Sequence, residues 1–217
     1  IKQLKYIIKF NKKIIKEITK HKKIKKAAFQ TRNIPHFGHE KIFEEILKIC
    51  DVLIINPLIR LKKRNDCTNL TLEKSYNVLK KIYKKKLLYL PIISNMHYCG
   101  PREAMHHLNL REKFGFDIFT IGRDHAGAEN VYQPHSAVNL VKKNLKKLKI
   151  QVFTHKGAYL CKKCTKIIIK GDCSHKKSLR EISGSEFRQK IMKKKYYKFA
   201  RSEIQTKLKK TNKKLFY

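Results

Sequence analysis

Long apolar runs are absent from this chain of 217 residues. A membrane-spanning helix needs about 18–20 consecutive apolar residues, and no run in the sequence approaches that length. The chain also does not open with the basic, then apolar, then small-residue pattern of a secretory signal. We therefore expect no membrane span, and we expect the protein to be soluble and cytoplasmic.

Acidic residues are scarce: 16 Asp and Glu stand against 53 Lys and Arg, for a formal net charge of +37. Such a charge ordinarily suggests nucleic acid or an anionic membrane surface as a partner. The charge is concentrated at the ends, however, since residues 1–26 hold eleven lysines and one glutamate, and residues 188–217 hold twelve basic residues and one glutamate. Nucleic-acid binding therefore stays open but is not favoured, and the basic middle of the chain suits an enzyme that handles polyanions.

Long internal repeats are absent too, and a hydrophobic content of 41% excludes a disordered chain. Apolar runs alternate with amphipathic patterns along the chain. The predicted strands end at residue 29 or cover 51–55, 87–93, 118–121 and 152–153, and the predicted helices cover 37–49, 72–82, 101–114 and 135–147. This alternation predicts an α/β fold, in which a parallel sheet is covered by helices on both faces and ligands bind beyond the carboxyl ends of the strands.

Residues 28–40, AFQTRNIPHFGHE, hold the pattern around which the chain is organised. A buried strand ends at Phe29, a polar loop follows, and an amphipathic helix begins near Phe37. Backbone N–H groups at such a helix start attract a phosphate or sulfate. His36 and His39 are three residues apart at this helix start, so we expect both side chains to face the same anion, although a purely structural capping role is the alternative.

Cysteines are few, and only three of the six lie close together in the sequence. Cys161 and Cys164 have the spacing of a tetrahedral zinc site, and Cys173 and His175 complete a Cys3His set. We predict a closed structural Zn²⁺ site here, with reduced cysteines that bind no metal as the alternative. Cys50, Cys67 and Cys99 are scattered, which is typical of small reduced side chains in an intracellular protein.

Four segments resemble one known family. The residues His36-Phe37-Gly38-His39 resemble the HxGH signature of the nucleotidylyltransferase superfamily. The motifs at residues 30–33 (QTRN), 100–104 (GPREA), 122–127 (GRDHAG) and 182–188 (ISGSEFR) resemble those of ATP sulfurylase, in the same order along the chain. The resemblance covers roughly residues 20–192 and implies a Rossmann-like nucleotidylyltransferase fold.

The resemblance also implies a reaction, in which ATP and sulfate give adenosine 5′-phosphosulfate and diphosphate. It implies Mg²⁺ bound with ATP and a homo-oligomeric enzyme. The sulfate is expected on Gln30, Arg32 and the backbone of Ala126. The expected catalytic residues are Thr31, Arg32, Asn33, His36 and His39. The nucleotide is expected on these five residues and on Gln30, Gly122, Arg123, Asp124, His125 and Arg188.

Three positions depart from the family pattern: Arg60 and Asn65 replace glycines in a loop, and His97 replaces an arginine. Two alternatives stay open, namely a nucleotidylyltransferase with another acceptor and an inactive basic zinc module that binds nucleic acid. The expected division of the chain is an N-terminal basic helix (1–23), a catalytic domain (24–158), a zinc-binding insertion (159–180) and a helical C-terminal part with a basic tail (181–217).

Overall fold

The computed structural model is built on a central sheet of five parallel strands and describes residues 2–20, 23–60, 62–122, 125–127 and 131–217. The strands are β1 (Lys26–Phe29), β2 (Val52–Ile55), β3 (Leu87–Tyr89), β4 (Ile118–Ile121) and β5 (Gln151–Thr154). Their order across the sheet is β3–β2–β1–β4–β5, and each neighbouring pair is parallel. The direction of strand addition therefore reverses between β1 and β4, and open α/β sheets bind ligands in the crevice at such a reversal.

The described residues form seven α-helices. They are α1 (Lys2–Thr19), α2 (Phe37–Ile46), α3 (Asn69–Tyr83), α4 (Pro101–Lys113), α5 (Ser136–Asn144), α6 (Gly184–Met192) and α7 (Ser202–Lys209). Short 3-10 turns cover 84–86, 145–147 and 176–178. None of the helices in the described part of the chain combines the length and the apolar character needed to cross a membrane.

The side chains of the central strands point alternately into two separate cores. Ala27 and Phe29 of β1 pack in one core with α2, α3, α6 and α7. Ala28 packs in the other core with α1, α4 and α5. This alternation follows from the period of two along a strand. The α/β fold predicted from the sequence, with helices on both faces of a parallel sheet, is thereby confirmed.

A second sheet of three antiparallel strands lies beside α2. Its strands are β6 (Ala158–Cys161), β7 (Lys166–Ile169) and β8 (Leu179–Glu181), in the order β7–β6–β8. Leu160 and Ile167 of this small sheet pack on the first core. The small sheet contains most of the segment expected as an insertion, and the four-part division of the chain stays a prediction.

Several predicted elements are shorter in the structure. The helix predicted over 37–49 ends at Ile46, after which the N–H groups of Lys48 and Ile49 donate to carbonyls three residues back. The strand predicted over 87–93 ends at Tyr89, shortly before Pro91, which has no N–H to donate to a neighbouring strand. The helix predicted over 135–147 ends at Asn144 and continues as a 3-10 turn. Tightening of this kind is common in the last turn of a helix.

The C-terminal residues return to the loop that follows β2. The backbone N–H of Tyr217 donates to the carbonyl of Asp66 at 3.0 Å, and the N–H of Thr68 donates to Leu215 at 2.9 Å. Arg201 makes two bonds of 2.9 Å and one of 2.7 Å to the buried carboxylate of Glu40 on α2. The end of the chain is therefore part of the packed structure and supports the loop that carries Asp66.

Candidate active site

A cavity of about 380 Å³ opens at the carboxyl ends of β1 and β4, where the strand order reverses. Its walls come from the loop after β1, the start of α2, the segments that follow β4 and β5, and the start of α6. All ten described residues that the sequence predicted for nucleotide or sulfate line it: Gln30, Thr31, Arg32, Asn33, His36, His39, Gly122, His125, Ala126 and Arg188. Arg123 and Asp124 lie outside the described residues.

His36 and His39 form a reciprocal capping box at the start of α2. The Nδ1 atom of His36 accepts from the N–H of His39, and Nδ1 of His39 accepts from the N–H of His36, both at 3.3 Å. A neutral imidazole that accepts through Nδ1 carries its proton on Nε2. The cap therefore fixes one tautomer for both rings and leaves each with an Nε2–H donor.

Both histidines are neutral at ordinary pH. Burial lowers the pKa of His36 to about 3. Burial, together with the nearby His36 and His155, lowers the pKa of His39 well below its usual value. Without an anion in the cavity, this pair therefore offers two neutral hydrogen-bond donors and not two imidazolium charges.

Gly38 is the residue that allows the two rings to lie so close, with centroids 3.9 Å apart. A β-carbon at position 38 would come within 3.0 Å of the ring atoms Cε1 and Nδ1 of His36. Any larger residue would push that ring away by a few tenths of an ångström, because such a contact is tighter than nine in ten real β-carbon contacts. The glycine of the HxGH pattern thus makes room for the first histidine.

Arg32 is the cationic residue of the loop after β1. Its Nη1 atom lies 3.5 Å from Oδ2 of the buried Asp66, and its guanidinium carbon lies 5.3 Å from the centre of the Tyr98 ring. The sequence analysis missed Asp66 and Tyr98. Asp66 follows a basic stretch and Tyr98 lies in an irregular segment, so no pattern in the sequence placed them beside Arg32.

Asn33 and Arg188 join the two walls of the cavity, although 155 positions separate them. Nη1 of Arg188 donates to Oδ1 of Asn33, and Nη2 donates to the hydroxyl of Ser185 at 3.1 Å. The hydroxyl of Ser183 caps α6 by accepting from the N–H of Glu186 at 3.2 Å. Ser183 therefore caps α6, and Ser185 holds Arg188.

The side chain of Gln30 contacts a buried polar cluster on α4. Its Nε2 atom lies 3.0 Å from Nδ1 of His107, which is also 3.2 Å from Nε2 of His125. Nε2 of His107 lies 3.3 Å from the carboxylate of Glu103. Because Nε2 of His107 keeps its proton and directs it at the Glu103 carboxylate, Nδ1 of His107 is an acceptor for both Gln30 and His125.

The carboxylate of Glu103 stays ionised in this buried place. Burial alone would raise its pKa, but bonds from His107 and from the N–H groups of His97 and Cys99 outweigh burial and lower the pKa to about 2. The two N–H bonds are 2.8 Å long. Burial lowers the pKa of His107 to about 4. At neutral pH, Glu103 is thus a charged acceptor and His107 a neutral ring.

Ala126 lies at the far wall with a positive φ of 55°, which is uncommon for a residue other than glycine. Its carbonyl accepts from the N–H of Gly100 at 3.0 Å. Gly100 itself has φ 53°, and a β-carbon there would lie 2.4 Å from the Tyr132 ring. The start of α4 is thereby tied to the loop after β4, through a glycine at which any β-carbon would force the Tyr132 ring to move.

His155 also lines the cavity, and the sequence analysis did not single it out. Its Nδ1 atom accepts from the N–H of Gly157 at 3.2 Å, so the proton lies on Nε2. Burial, and to a smaller extent the nearby His135, lowers the pKa of His155 to about 4. A further neutral histidine, besides His36, His39 and His125, therefore faces the cavity from the end of β5.

The three positions that depart from the family pattern differ in how far their backbone requires glycine or their side chain reaches the cavity. Asn65 has φ 69°, in the left-handed region that glycine favours and that asparagine tolerates better than most residues. Arg60 does not have a positive φ, so its position does not require glycine. His97 is exposed and does not line the cavity.

The predicted metal ligands come together on the small sheet. The ligand atoms of Cys161, Cys164, Cys173 and His175 all lie within 4.8 Å of one another. Nδ1 of His175 lies 3.2 Å from Sγ of Cys164 and 3.7 Å from Sγ of Cys161. Thiolates on one tetrahedral zinc are about 3.8 Å apart, given Zn–S bonds of about 2.3 Å. The cluster is thus compatible with a metal ion, and His175 belongs to it.

The scattered cysteines are free thiols. Cys67 is buried, Cys50 is half-buried and Cys99 is exposed. Burial raises the pKa of Cys67 to about 11, so this thiol stays protonated. Cys50 and Cys67 pack with the first core as small apolar side chains.

Comparison with known proteins identifies a family model that matches nearly the whole chain and relatives that match 76–80% of it. Residues 7–210 match the family model described as ATP-sulfurylase. The chain is 40% identical over 169 residues to the sulfate adenylyltransferases of Ignicoccus hospitalis and Pyrococcus abyssi, in alignments that cover 76% of this chain and 44% of each relative. It is 34% identical over 178 residues to the sulfate adenylyltransferase of Persephonella marina, with coverage of 80% and 46%. The chain therefore spans slightly less than half the length of these curated relatives.

One solved structure shares the fold. It is described as a hexameric APS kinase from Thiobacillus denitrificans, and it matches with a TM-score of 0.66 over 89% of this chain and 38% of that chain. The sequence identity is 12%, so this likeness concerns the fold alone.

Proposed function

The chain belongs to the ATP-sulfurylase family, and from this membership and the geometry of the cavity we propose that it catalyses sulfate adenylyl transfer. In this reaction an oxygen of sulfate bonds to the α-phosphorus of ATP, the bond from that phosphorus to the bridging oxygen breaks, and diphosphate leaves. The products are adenosine 5′-phosphosulfate and diphosphate. Sulfate is already an anion, so no general base is required.

One observation carries the proposal: Arg32 and the paired Nε2–H donors of His36 and His39 share a single cavity at the start of α2. The main obstacle to the reaction is repulsion between two anions. Positive charge and fixed donors lower that obstacle, and they do so best where water is partly excluded. The α2 N-terminus adds its own partial positive charge.

We assign the sulfate to Arg32, Gln30 and the N–H of Ala126. One N–H of Gln30 Nε2 donates to His107, and the other faces the weak acceptor Sδ of Met96 at 3.8 Å. Sulfate would replace that weak acceptor with a strong one. The left-handed conformation of Ala126 is the kind of strained backbone that persists mainly at functional sites.

We assign the phosphates of ATP to the loop and the helix start. His36 and His39 would donate to phosphate oxygens as diphosphate leaves, and Thr31, Asn33 and Arg188 would orient them. Gly122 and His125 would contact the nucleoside. The same proposal includes Arg123 and Asp124, which lie outside the described residues.

Two metal ions belong to the proposal in different ways. Mg²⁺ would enter bound to the phosphates of ATP, as is usual for nucleotide sites, and would offset their charge. Zn²⁺ would be held by Cys161, Cys164, Cys173 and His175. With four protein ligands this site would be closed to substrate and would stabilise the fold of the small sheet.

The cellular setting is also part of the proposal. We propose that the enzyme acts in the cytoplasm as a homo-oligomer. Leu4 and Tyr6 of α1 are each 61% exposed, which gives the outer end of that helix apolar area that a second copy could cover. Light scattering of the purified chain at several concentrations would test self-association.

The decisive experiment is the formation of ATP from adenosine 5′-phosphosulfate and diphosphate by the purified chain. We expect turnover that requires Mg²⁺ and falls about 10²–10³-fold in Arg32→Ala, the usual loss for one contact that stabilises transition-state charge. The variant should keep the circular-dichroism spectrum of the parent. Turnover of Arg32→Ala within threefold of the parent would refute the role of Arg32, and a folded parent without turnover would refute the function.

A further inference from the structure

Arg32, Asp66 and Tyr98 form a three-residue cluster at the edge of the cavity. Oδ2 of Asp66 is the shared atom: Arg32 Nη1 lies 3.5 Å from it, and the hydroxyl of Tyr98 donates to it at 2.8 Å. The Tyr98 bond is therefore short and the Arg32 contact is at the limit of a hydrogen bond. Tyr98 therefore makes the stronger bond to an oxygen that Arg32 would otherwise use as its acceptor.

The carboxylate of Asp66 is fixed in place. Asp66 is 1% exposed, and its backbone carbonyl accepts from the N–H of Tyr217 at 3.0 Å. The Tyr98 hydroxyl is fixed as well, because it accepts from the N–H of Lys63 at 3.0 Å while it donates to Asp66. Arg32 is the more exposed member, since 28% of its side chain is exposed in the cavity wall.

Tyr98 reaches this position with a strained backbone. Its φ is 57°, in the left-handed region that is rare for a bulky residue. Such strain persists where the surroundings over-determine the conformation, and it clusters at functional sites. The strained backbone places the ring against the Arg32 guanidinium, at 5.3 Å from its carbon atom.

We propose that Tyr98 is a positioning residue that keeps Arg32 available to the substrate anion. A buried carboxylate next to an arginine normally draws it into a short bidentate pair, and such a pair would use the charge that the anion needs. By donating to Oδ2, Tyr98 competes with Arg32 for that oxygen, so Asp66 orients Arg32 without drawing it into a short bidentate pair. The proposal rests on the proposed function, in which Arg32 holds sulfate.

Two variants and their combination test this arrangement. Tyr98→Phe keeps the ring and removes the hydroxyl, so Oδ2 becomes free to pair closely with Arg32. We expect the dissociation constant for sulfate to rise about tenfold, the equivalent of one hydrogen bond to a charged group. Adding Asp66→Asn to Tyr98→Phe removes the competing charge, and we expect sulfate affinity to return to within about threefold of the parent.

Tyr83→Phe is the matched control. The hydroxyl of Tyr83 lies 3.4 Å from Oε2 of Glu40, which is also bonded to Arg201, so this trio repeats the Tyr–carboxylate–Arg chemistry away from the cavity. We expect sulfate affinity of Tyr83→Phe to equal that of the parent.

Binding is measured as the rise in melting temperature with sulfate concentration, which needs no turnover. Arg32→Ala, measured in the same way, gives the general salt effect to be subtracted. Tyr98→Phe with parental affinity overturns the proposal, and so does a double variant that binds no better than Tyr98→Phe, because a purely structural tyrosine would give that result. A parent chain that shows no specific sulfate effect also overturns it.

Failure of the proposed function would appear differently, as absence of turnover in a parent chain that still binds sulfate. If Tyr98→Phe is less stable than the parent, rescue of sulfate binding by Asp66→Asn is still expected, because the rescue depends on charge and not on packing. Measurements below the melting temperature of the least stable variant keep the comparison valid.

Discussion

His36 and His39 cap the start of helix α2 for each other, each ring accepting the backbone N–H of the other residue at 3.3 Å. Their structural role and their proposed catalytic role thus use different atoms of the same rings. Nδ1 serves the helix, and Nε2–H remains for the anion. A test of the catalytic role must therefore keep the cap and remove the donor.

His36→Asn makes that separation, because asparagine is a good N-cap acceptor and has no donor at the place of Nε2. We expect a melting temperature close to that of the parent and a loss of turnover of at least tenfold. His36→Ala should lose turnover and also about 1 kcal/mol of unfolding free energy. Turnover of His36→Asn equal to that of the parent would show that His36 has only a structural role.

His36 and His39 should both stabilise the same negative charge as it develops on the phosphate groups. We expect His36→Asn combined with His39→Ala to cost less turnover than the product of the two single effects, because residues that serve the same charge are non-additive. A double-mutant cycle at saturating Mg²⁺ and ATP measures this. Full multiplicativity of the two effects would show that the rings act on separate steps.

Stability should decrease with acidification because of the buried neutral histidines. The pKa of His36 is about 3 in the folded chain and about 6.5 when unfolded, so the unfolded state binds the extra proton between those values. The stabilisation is complete above pH 6.5 and is lost as pH falls towards 3, by up to about 1.4 kcal/mol per pH unit for one group. His107 and His155, with pKa values of about 4, act in the same direction.

Urea unfolding between pH 7.5 and 5 measures this dependence. We expect the free energy of unfolding to decrease as the pH is lowered. In His36→Asn this free energy should depend less steeply on pH than in the parent. Equal slopes would mean that His36 does not titrate with unfolding in this range.

Glu103→Gln should weaken the support of Gln30. Glutamine has a single acceptor oxygen, so it cannot accept from both His97 N–H and Cys99 N–H as the carboxylate does. One buried donor left without a partner costs about 1–3 kcal/mol. We expect that loss in urea unfolding, together with weaker sulfate binding. Glu73→Gln on the exposed side of α3 is the control, and equal behaviour of the two variants would rule out the special role of Glu103.

Metal analysis of the purified chain should find about one zinc per chain. We expect Cys161→Ser to lower the melting temperature by several degrees while turnover, measured well below it, changes less than threefold, since a closed structural site couples metal to folding. Cys99→Ser, an exposed thiol outside the cluster, should change neither. A chain that is free of metal and fully stable would contradict the zinc site.

The order of strands and helices could be read from the sequence because it depends on local patterns. Apolar runs such as 52–55 and amphipathic repeats such as 69–83 are formed by neighbouring residues, and their alternation permits few arrangements other than a covered parallel sheet. The loop after β1 and the start of α2 were predictable for the same reason. All of their proposed site residues lie within ten positions of one another.

The contacts between the site residues and the residues that support them were decided only by the tertiary structure. Asp66 and Tyr98 reach Arg32 from segments 34 and 66 positions away, His107 reaches Gln30 from 77, and Arg188 reaches Asn33 from 155. For none of these residues does the local sequence pattern predict which residue it contacts. Their contacts arise because parallel strands bring their carboxyl ends to one edge, where loops that are distant in sequence meet.

The sequence by itself thus determined the chemistry of the site, because it fixes the side chains that the loop after β1 and the start of α2 carry. The tertiary structure decided the state of those side chains: the tautomers of His36 and His39, the acceptor role of His107 and the partial pairing of Arg32 with Asp66. Such states depend on burial and on partners within about 3.5 Å. Those distances exist only once the loops have been packed together.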